Sequence, residues 1–367
     1  MTTRTRAKVA PAALAAALCL AATACTSTGT TTTAASAGNA AGAAQQTVAA
    51  SGTPAGPGCT YQNYAGGVPK LDLTNGTTIV GFSQSESTSN PFRATETQSI
   101  TDQAQKLGIK LIQRNANADV NTQNSQIEDM IAQGAQVLIV APEDSAGLGP
   151  ALTEAKAKKI PVLTIDRTAT GTACSDFIAF IGSNFYGQAQ IAADDLAGAT
   201  GGSAQVAILT GTPGNNVSTD RTNGFTDEIK AKDPNMQVVA SQTGNFDQTD
   251  AQNAMAQILQ AHPGITAVYA ENDEMAFGAI QAIISAGKTP GKDIKIVSID
   301  GTQQAVQDVV GGKLVADIET NPRFGPLAFQ SLADFYGATG VQPDVIIKDS
   351  HFTASNAQQA LSQGLVY

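Results

Sequence analysis

The chain has 367 residues, of which 21 are basic and 31 acidic, giving a formal net charge of -10. That balance excludes a surface built to grip nucleic acid or anionic lipid, because phosphate binding needs clustered Lys and Arg. Two His and four widely spaced Cys, with no CxxC pair, likewise exclude the common zinc frameworks.

The first 24 residues carry Arg4, Arg6 and Lys8 and no acid, followed by an apolar run from Val9 to Ala22. The run is shorter than the about 20 residues of a membrane span. A basic start, an apolar centre and small residues at the end predict an export signal over 1–24. Ala22-Thr23-Ala24 suits an ordinary signal peptidase. With Cys25 next, the same stretch also resembles a bacterial lipobox, in which the Cys thiol takes a diacylglycerol anchor. Both readings cut the same bond.

Residues 26–58 contain only Thr, Ala, Ser, Gly, Gln, Pro, Asn and one Val. Such a segment cannot bury enough surface to offset its ordering entropy. A lipid-anchored flexible tether and N-terminal arm are therefore expected over 25–76, with the tether's root-mean-square span roughly 30 Å. Cys19 leaves with the signal. If Cys25 is acylated, Cys59 and Cys174 remain, an even pair in an oxidising compartment, which predicts a disulfide between them. If Cys25 is free, three thiols are left.

From about Thr77 the pattern alternates. Short β-branched runs, Thr78–Phe82, Gln136–Val140, Pro161–Ile165, Val206–Leu209, Ala267–Ala270 and Ile294–Ile299, read as buried parallel strands. Between them, Asn124–Ala132 and Glu274–Ile280 have helical spacing, and weaker helical patterns cover Ala94–Lys106 and Thr249–Gln260. Strand alternating with helix predicts a doubly wound α/β fold. About ten such units exceed one comfortable sheet, so two sheets of about five to six strands are expected, with a break near Ser183-Asn184.

In such sheets, ligands bind where the strands end. The residues there are Ser83-Gln84 and Asn90-Pro91-Phe92-Arg93, then Asp166-Arg167, Asp220-Arg221, Glu271-Asn272-Asp273, Asp300-Gly301-Thr302 and Asp317 to Pro322. Singly, each has a plain explanation. Asp after a strand caps a helix, Asp166 and Arg167 make a structural ion pair, Asn90-Pro91 starts a helix, and Asp300-Gly301 turns the chain. Jointly, they suit a neutral polyol, whose hydroxyls both donate and accept and so pair with carboxylate and guanidinium alike.

At these residues the chain resembles the periplasmic sugar-binding proteins of ABC transporters, of the ribose/galactose type. The resemblance runs through Asp166-Arg167, Arg221-Thr222-Asn223-Gly224-Phe225, Ala261-His262-Pro263, Asn272 to Ala276 and Asp300-Gly301-Thr302, in order and spacing. The galactofuranose-binding branch is the nearest, through Gly81-Phe82-Ser83-Gln84, Phe92-Arg93, Ser298-Ile299-Asp300-Gly301 and Glu319. The resemblance implies two Rossmann-like doubly wound lobes joined by a three-segment hinge, the type I periplasmic binding protein fold. The first lobe is expected over 77–183 plus 321–346, and the second over 184–320 plus 347–367. It implies ligand contacts at Ser83, Asn90, Phe92, Arg93, Asp166, Arg167, Arg221, Phe246, Asn272, Asp300 and Glu319. Arg93 stands where ribose binders carry Phe, which points toward a furanose.

No GxSxG motif, P-loop or metal cluster suggests catalysis, and a signal stands where a repressor of this fold carries its DNA-binding helices. The expected function is an extracytoplasmic solute-binding lipoprotein that captures a monosaccharide between its lobes and delivers it to an ABC permease. The alternative is a sugar sensor passing its closed form to a membrane receptor. No enzyme activity, cofactor, metal or nucleic-acid partner is expected. The protein is expected to be an exported monomer, held to the outer face of the cytoplasmic membrane through Cys25 or free in the periplasm.

Overall fold

The computed structural model describes residues 58–367; the expected signal over 1–24, Cys25 and the tether up to residue 57 lie outside the described residues. In chain order the first sheet's elements are β1 (Ile79–Gln84), α1 (Pro91–Leu107), β2 (Lys110–Asn115), α2 (Val120–Ala132), β3 (Val137–Val140), α3 (Gly149–Ala157), β4 (Val162–Ile165) and β5 (Phe180–Gly182). Then come α4 (Phe185–Thr200), β6 (Ser203–Thr210), α5 (Asn216–Lys232), β7 (Asn235–Thr243), α6 (Gln248–Ala261), β8 (Ala267–Ala270), α7 (Asp273–Ser285), β9 (Lys295–Asp300), α8 (Gln303–Val310) and β10 (Ala316–Glu319). The chain ends with α9 (Gly325–Tyr336), β11 (Asp344–Ile346), β12 (His351–Thr353) and α10 (Ala357–Gln363).

The strands form two six-stranded sheets, ordered β11-β5-β4-β3-β1-β2 and β12-β10-β9-β8-β6-β7. Every pairing is parallel except that of β12, which runs antiparallel to β10 at the edge. Each order reverses beside its first strand, the switch point where open α/β sheets bind ligands. The chain passes between the sheets three times, at 183–184, 320–324 and 347–350.

Both faces of each sheet are covered, so the central strands are buried along most of their length. Val80, Phe82, Ile139 and Ile165 pack with Phe329 and Phe335 on one face of the first sheet. Leu138 and Val140 pack with Met130 and Leu152 on the other. In the second sheet, Phe225 of α5 stacks on Tyr269 of β8 with centroids 4.2 Å apart. Burying such a side chain contributes about 1.5–3 kcal/mol. Among the described residues, no helix is long and apolar enough to cross a membrane.

Cys59 pairs with Val341 in a short antiparallel bridge, and the Cys59 amide donates to the Val341 carbonyl at 2.7 Å. A disulfide joins Cys59 to Cys174. Tyr64 is buried edge-on against Phe335 of α9. The arm is thereby packed on the first sheet's side of the molecule.

Candidate ligand-binding site

Most helices that follow strands open on capping side chains, which fixes polar residues at one edge of each sheet. Asn90 accepts from the Phe92 amide at 2.8 Å to start α1, and Asn272 accepts from the Met275 amide at 2.9 Å to start α7. The two edges face each other across a narrow cavity. Its lining is Glu86, Asn90, Phe92, Arg93, Asp166 and Arg167 from one lobe, with Val217, Arg221, Phe246, Asn272, Asp300 and Thr320 opposite.

On the first-lobe wall, Arg93 Nη1 donates to Glu96 at 2.8 Å and to Asp166 at 2.7 Å, while its Nε donates to Glu86 at 3.0 Å. Arg167 donates to the other oxygen of Glu86 at 2.6 Å and to Glu143 at 3.2 Å. Burial alone raises a carboxyl, yet the guanidiniums of Arg167 and Arg93 hold Glu86 down to about 2. Glu96 goes the other way. Its burial, with the Asp166 carboxylate nearby and against the pull of Arg93 and a hydrogen bond from Gln84, pushes it up to about 7.

On the second-lobe wall, Arg221 donates to Asp300 at 3.1 Å, to the Thr320 hydroxyl at 2.6 Å and to the Glu271 carbonyl. Burial, with Asp273 nearby and against the pull of Arg221, pushes Asp300 up to about 8. Glu271 behind it accepts from the Gly211 amide at 2.7 Å and from Ser218 at 2.9 Å, and burial pushes it up to about 7.

Phe246 covers the site with the Arg167 guanidinium 5.6 Å from its ring centre. A Cβ on Gly211 would lie 1.9 Å from that ring, so only glycine lets it settle there. Asp166, Phe246 and Asp300 have φ of 59°, 56° and 145°. Such conformations cost on the order of 1–3 kcal/mol each and persist where the surroundings over-determine them. The lobes also touch at the rim: the Ser145 amide donates to the Gly214 carbonyl at 3.0 Å, and the Thr168 amide to Asn216 Oδ1 at 2.9 Å. The arrangement is a closed one.

Nine of the eleven expected ligand residues line this cavity: Asn90, Phe92, Arg93, Asp166, Arg167, Arg221, Phe246, Asn272 and Asp300. Ser83 and Glu319 do not, which corrects two expectations. Ser83 lies inside β1, fully buried, where its hydroxyl accepts from Gln123 of α2 at 3.1 Å. Glu319 turns its carboxylate to the Ser350 amide at 3.0 Å, and the next residue, Thr320, faces the cavity instead. Side chains alternate along an extended chain, so an error of one residue points to the wrong face. Sequence reasoning missed Glu86, Val217 and Thr320. Glu86 had a signal, as the one charge between Ser83 and Phe92; Val217 had none.

The arrangement offers three guanidiniums, three carboxylates, one side-chain amide from each lobe, and two aromatic faces. Arg167 Nε and Arg221 Nε are buried without a hydrogen-bond partner among the described residues, leaving donors for a bound oxygen. No group of three or more His, Cys, Asp or Glu among the described residues could hold a metal.

A family model described as the periplasmic binding protein domain matches residues 80–359. The ribose import binding protein RbsB of Bacillus subtilis is 36% identical over 257 residues, which cover 70% of this chain and 81% of that protein. The galactofuranose-binding protein YtfQ of Escherichia coli is 32% identical over 290 residues, covering 77% and 90%. Among solved structures, the periplasmic binding protein component of the arabinose ABC transporter from Shewanella sp. ANA-3, bound to α- and β-L-arabinofuranose, superposes with a TM-score of 0.74. It is 34% identical and is matched over 78% of this chain and 95% of its own. Two α/β lobes, a cavity between them and a match across nearly the whole described fold lead to one conclusion: the chain belongs to the periplasmic binding protein family, a family of substrate-binding proteins rather than enzymes, with its two-lobed type I fold.

Proposed function

We propose that this protein captures a neutral monosaccharide between its lobes and hands it to the permease of an ABC importer. The observation that carries this reading is the balance of the cavity lining. Arg93, Arg167 and Arg221 stand against Glu86, Asp166 and Asp300, and Phe92 and Phe246 close the space. Each guanidinium already has a carboxyl partner in the lining, so a charged ligand would have to displace that partner within a buried site, which is costly. A polyol pairs with both sets, and the apolar faces of its ring suit the two phenyl groups. The aromatic-Arg pair at Phe92-Arg93, with relatives named for galactofuranose and arabinose, favours a sugar in its five-membered ring form. Expulsion of the signal over 1–24 and acylation of Cys25 complete the proposal. Cys59 and Cys174 are joined to each other, so Cys25 is the thiol left after the signal is cut.

The test is thermal unfolding against a panel of neutral monosaccharides, including L-arabinose, D-ribose and D-galactose, with sugar phosphates and sugar acids as controls. A ligand that binds the folded state raises stability by RT ln(1 + [L]/Kd). A shift with at least one neutral sugar and none with the anions is expected. A response to anions alone would overturn the reading.

A further inference from the structure

Gln188 sits one turn into α4, just past the first crossing between lobes, and is buried outside the cavity lining. Its side chain nevertheless reaches the second and third crossings. Nε2 lies 2.9 Å from the Glu319 carbonyl, 3.0 Å from Thr320 Oγ1 and 2.8 Å from Asp349 Oδ2. Its Oε1 accepts from Arg221 Nη2 at 3.3 Å. Asp349 completes the set. It accepts from the Ser183 hydroxyl at 2.9 Å and from the backbone of Asn321. Ser183, Asn321 and Asp349 lie on the first, second and third crossings respectively. One amide and one carboxyl thus join all three connections to each other and to a cavity-lining guanidinium.

The donor count makes this arrangement a choice rather than a fixed knot. A side-chain amide has two N–H bonds, and three acceptors stand within reach of Gln188 Nε2. Separate N–H bonds cannot serve all three at once. Thr320 Oγ1 is also approached by two donors, Arg221 Nη2 at 2.6 Å and Gln188 Nε2 at 3.0 Å. Those two take its lone pairs, so its own O–H must point elsewhere, and Thr320 lines the cavity. A ligand oxygen accepting that proton polarises the hydroxyl and strengthens the bonds it accepts. With no such acceptor, the hydroxyl can turn, and the amide can pair with Asp349 and the Glu319 carbonyl instead.

We propose that Gln188 and Asp349 are positioning residues that couple ligand contact at Arg221 and Thr320 to the geometry of the three lobe crossings. The coupling favours the closed arrangement when the cavity is filled. A ligand shifts an open–closed equilibrium only by its differential affinity for the two forms. Gln188 is where part of that difference reaches the hinge. The inference rests on the reading of the cavity as a monosaccharide site.

The experiment compares wild-type protein with Gln188→Leu and Asp349→Asn, using L-arabinose, D-ribose and D-galactose as probes. Affinity, dissociation rate and the radius of gyration by small-angle X-ray scattering are measured with and without sugar. In wild type, the probe that binds reduces the radius of gyration. In Gln188→Leu, binding weakens by about tenfold, the loss appears as faster dissociation, and the sugar-induced contraction shrinks. Asp349→Asn, which keeps the side-chain volume and an acceptor for Ser183, shows a smaller change of the same kind, and it carries the test if the Leu variant does not fold. Wild-type affinity and contraction in both variants overturn the relay. So does weakened binding with an unchanged contraction, since a merely structural role would produce that. Failure of wild type to bind any probe overturns the monosaccharide reading, and the relay with it.

Discussion

On the first-lobe wall of the cavity, two guanidiniums share four carboxylates, Glu86, Glu96, Glu143 and Asp166. On the second-lobe wall, one guanidinium meets a single carboxylate, Asp300, and otherwise neutral oxygens from Thr320, Gln188 and the Glu271 backbone. The first arrangement is densely cross-linked by its own ion pairs and holds its shape before any ligand arrives. The second is sparsely charged, and its partners are hydroxyl and amide groups that can turn. It is also the wall wired to the crossings. A docking face that is rigid on one side and adjustable on the other lets one lobe set the ligand's orientation while the other responds to it.

The sharpest way to break this comparison is to remove one guanidinium from each wall. Arg167→Ala strands Glu143 and leaves Glu86 with Arg93 alone in a buried site, so it should cost about 3–5 kcal/mol of folding stability, measured by denaturant unfolding without sugar. Arg221→Ala leaves only Asp300, whose carboxyl already favours its proton, so it should cost less stability. Its effect should fall on binding, with a loss of about 2–5 kcal/mol in sugar affinity. Equal stability losses would show that the two walls do not differ.

A pH series sharpens the same contrast. Asp300 is raised to about 8, Glu271, Glu96 and Asp349 to about 7, and Asp273 to about 6, burial being the leading cause in each. The folded protein therefore holds protons that the unfolded chain releases near the ordinary carboxylate range. Stability from these groups is full below that range and is lost as pH rises through about 6 to 8. Glu86 runs oppositely, losing its contribution as pH falls from about 4.5 toward 2. Ligand-free protein should thus melt at a higher temperature at pH 5 than at pH 8, and Asp300→Asn should flatten that slope. A melting temperature that rises from pH 5 to pH 8 would refute this account.

The smallest expected effect separates two neighbours where β10 runs into the second crossing. Thr320→Val should weaken sugar binding by about tenfold, the scale of one hydrogen bond. Glu319→Gln should leave affinity unchanged, since its carboxylate serves the Ser350 amide. A reversal of the two would restore Glu319 to the site.

How much of this was legible follows from burial. Val137–Val140 and Ala267–Ala270 are buried on both faces and read as unbroken apolar runs. β2 and β7 do not, because they are edge strands with most side chains in or near solvent. The polar residues at strand ends were visible for a simple reason. Asp166 and Asp300 follow an apolar run at once and Asn272 one residue later, so their position is fixed by the strand before them. Phe246 follows the long, exposed edge strand β7, and only the family resemblance pointed to it. Ser83 and Glu319 went astray because strand periodicity fixes which residues alternate, but not which of the two faces a lone polar residue takes at the last turn of the pattern. The relay through Gln188 joins residues more than a hundred positions apart, and no spacing rule can announce it.

The Cys59–Cys174 bridge has a mechanical consequence. Cys174 lies between β4 and β5, in the first lobe, and the paired backbone of Cys59 and Val341 sits on the same side. Any pull on the chain upstream of Cys59 therefore enters the molecule there, through a covalent bond, and bypasses the three crossings. The load path ends in the first lobe. That lobe acts as the stator, and the second lobe, carrying Arg221, Gln188 and Asp300, is the part left free to swing.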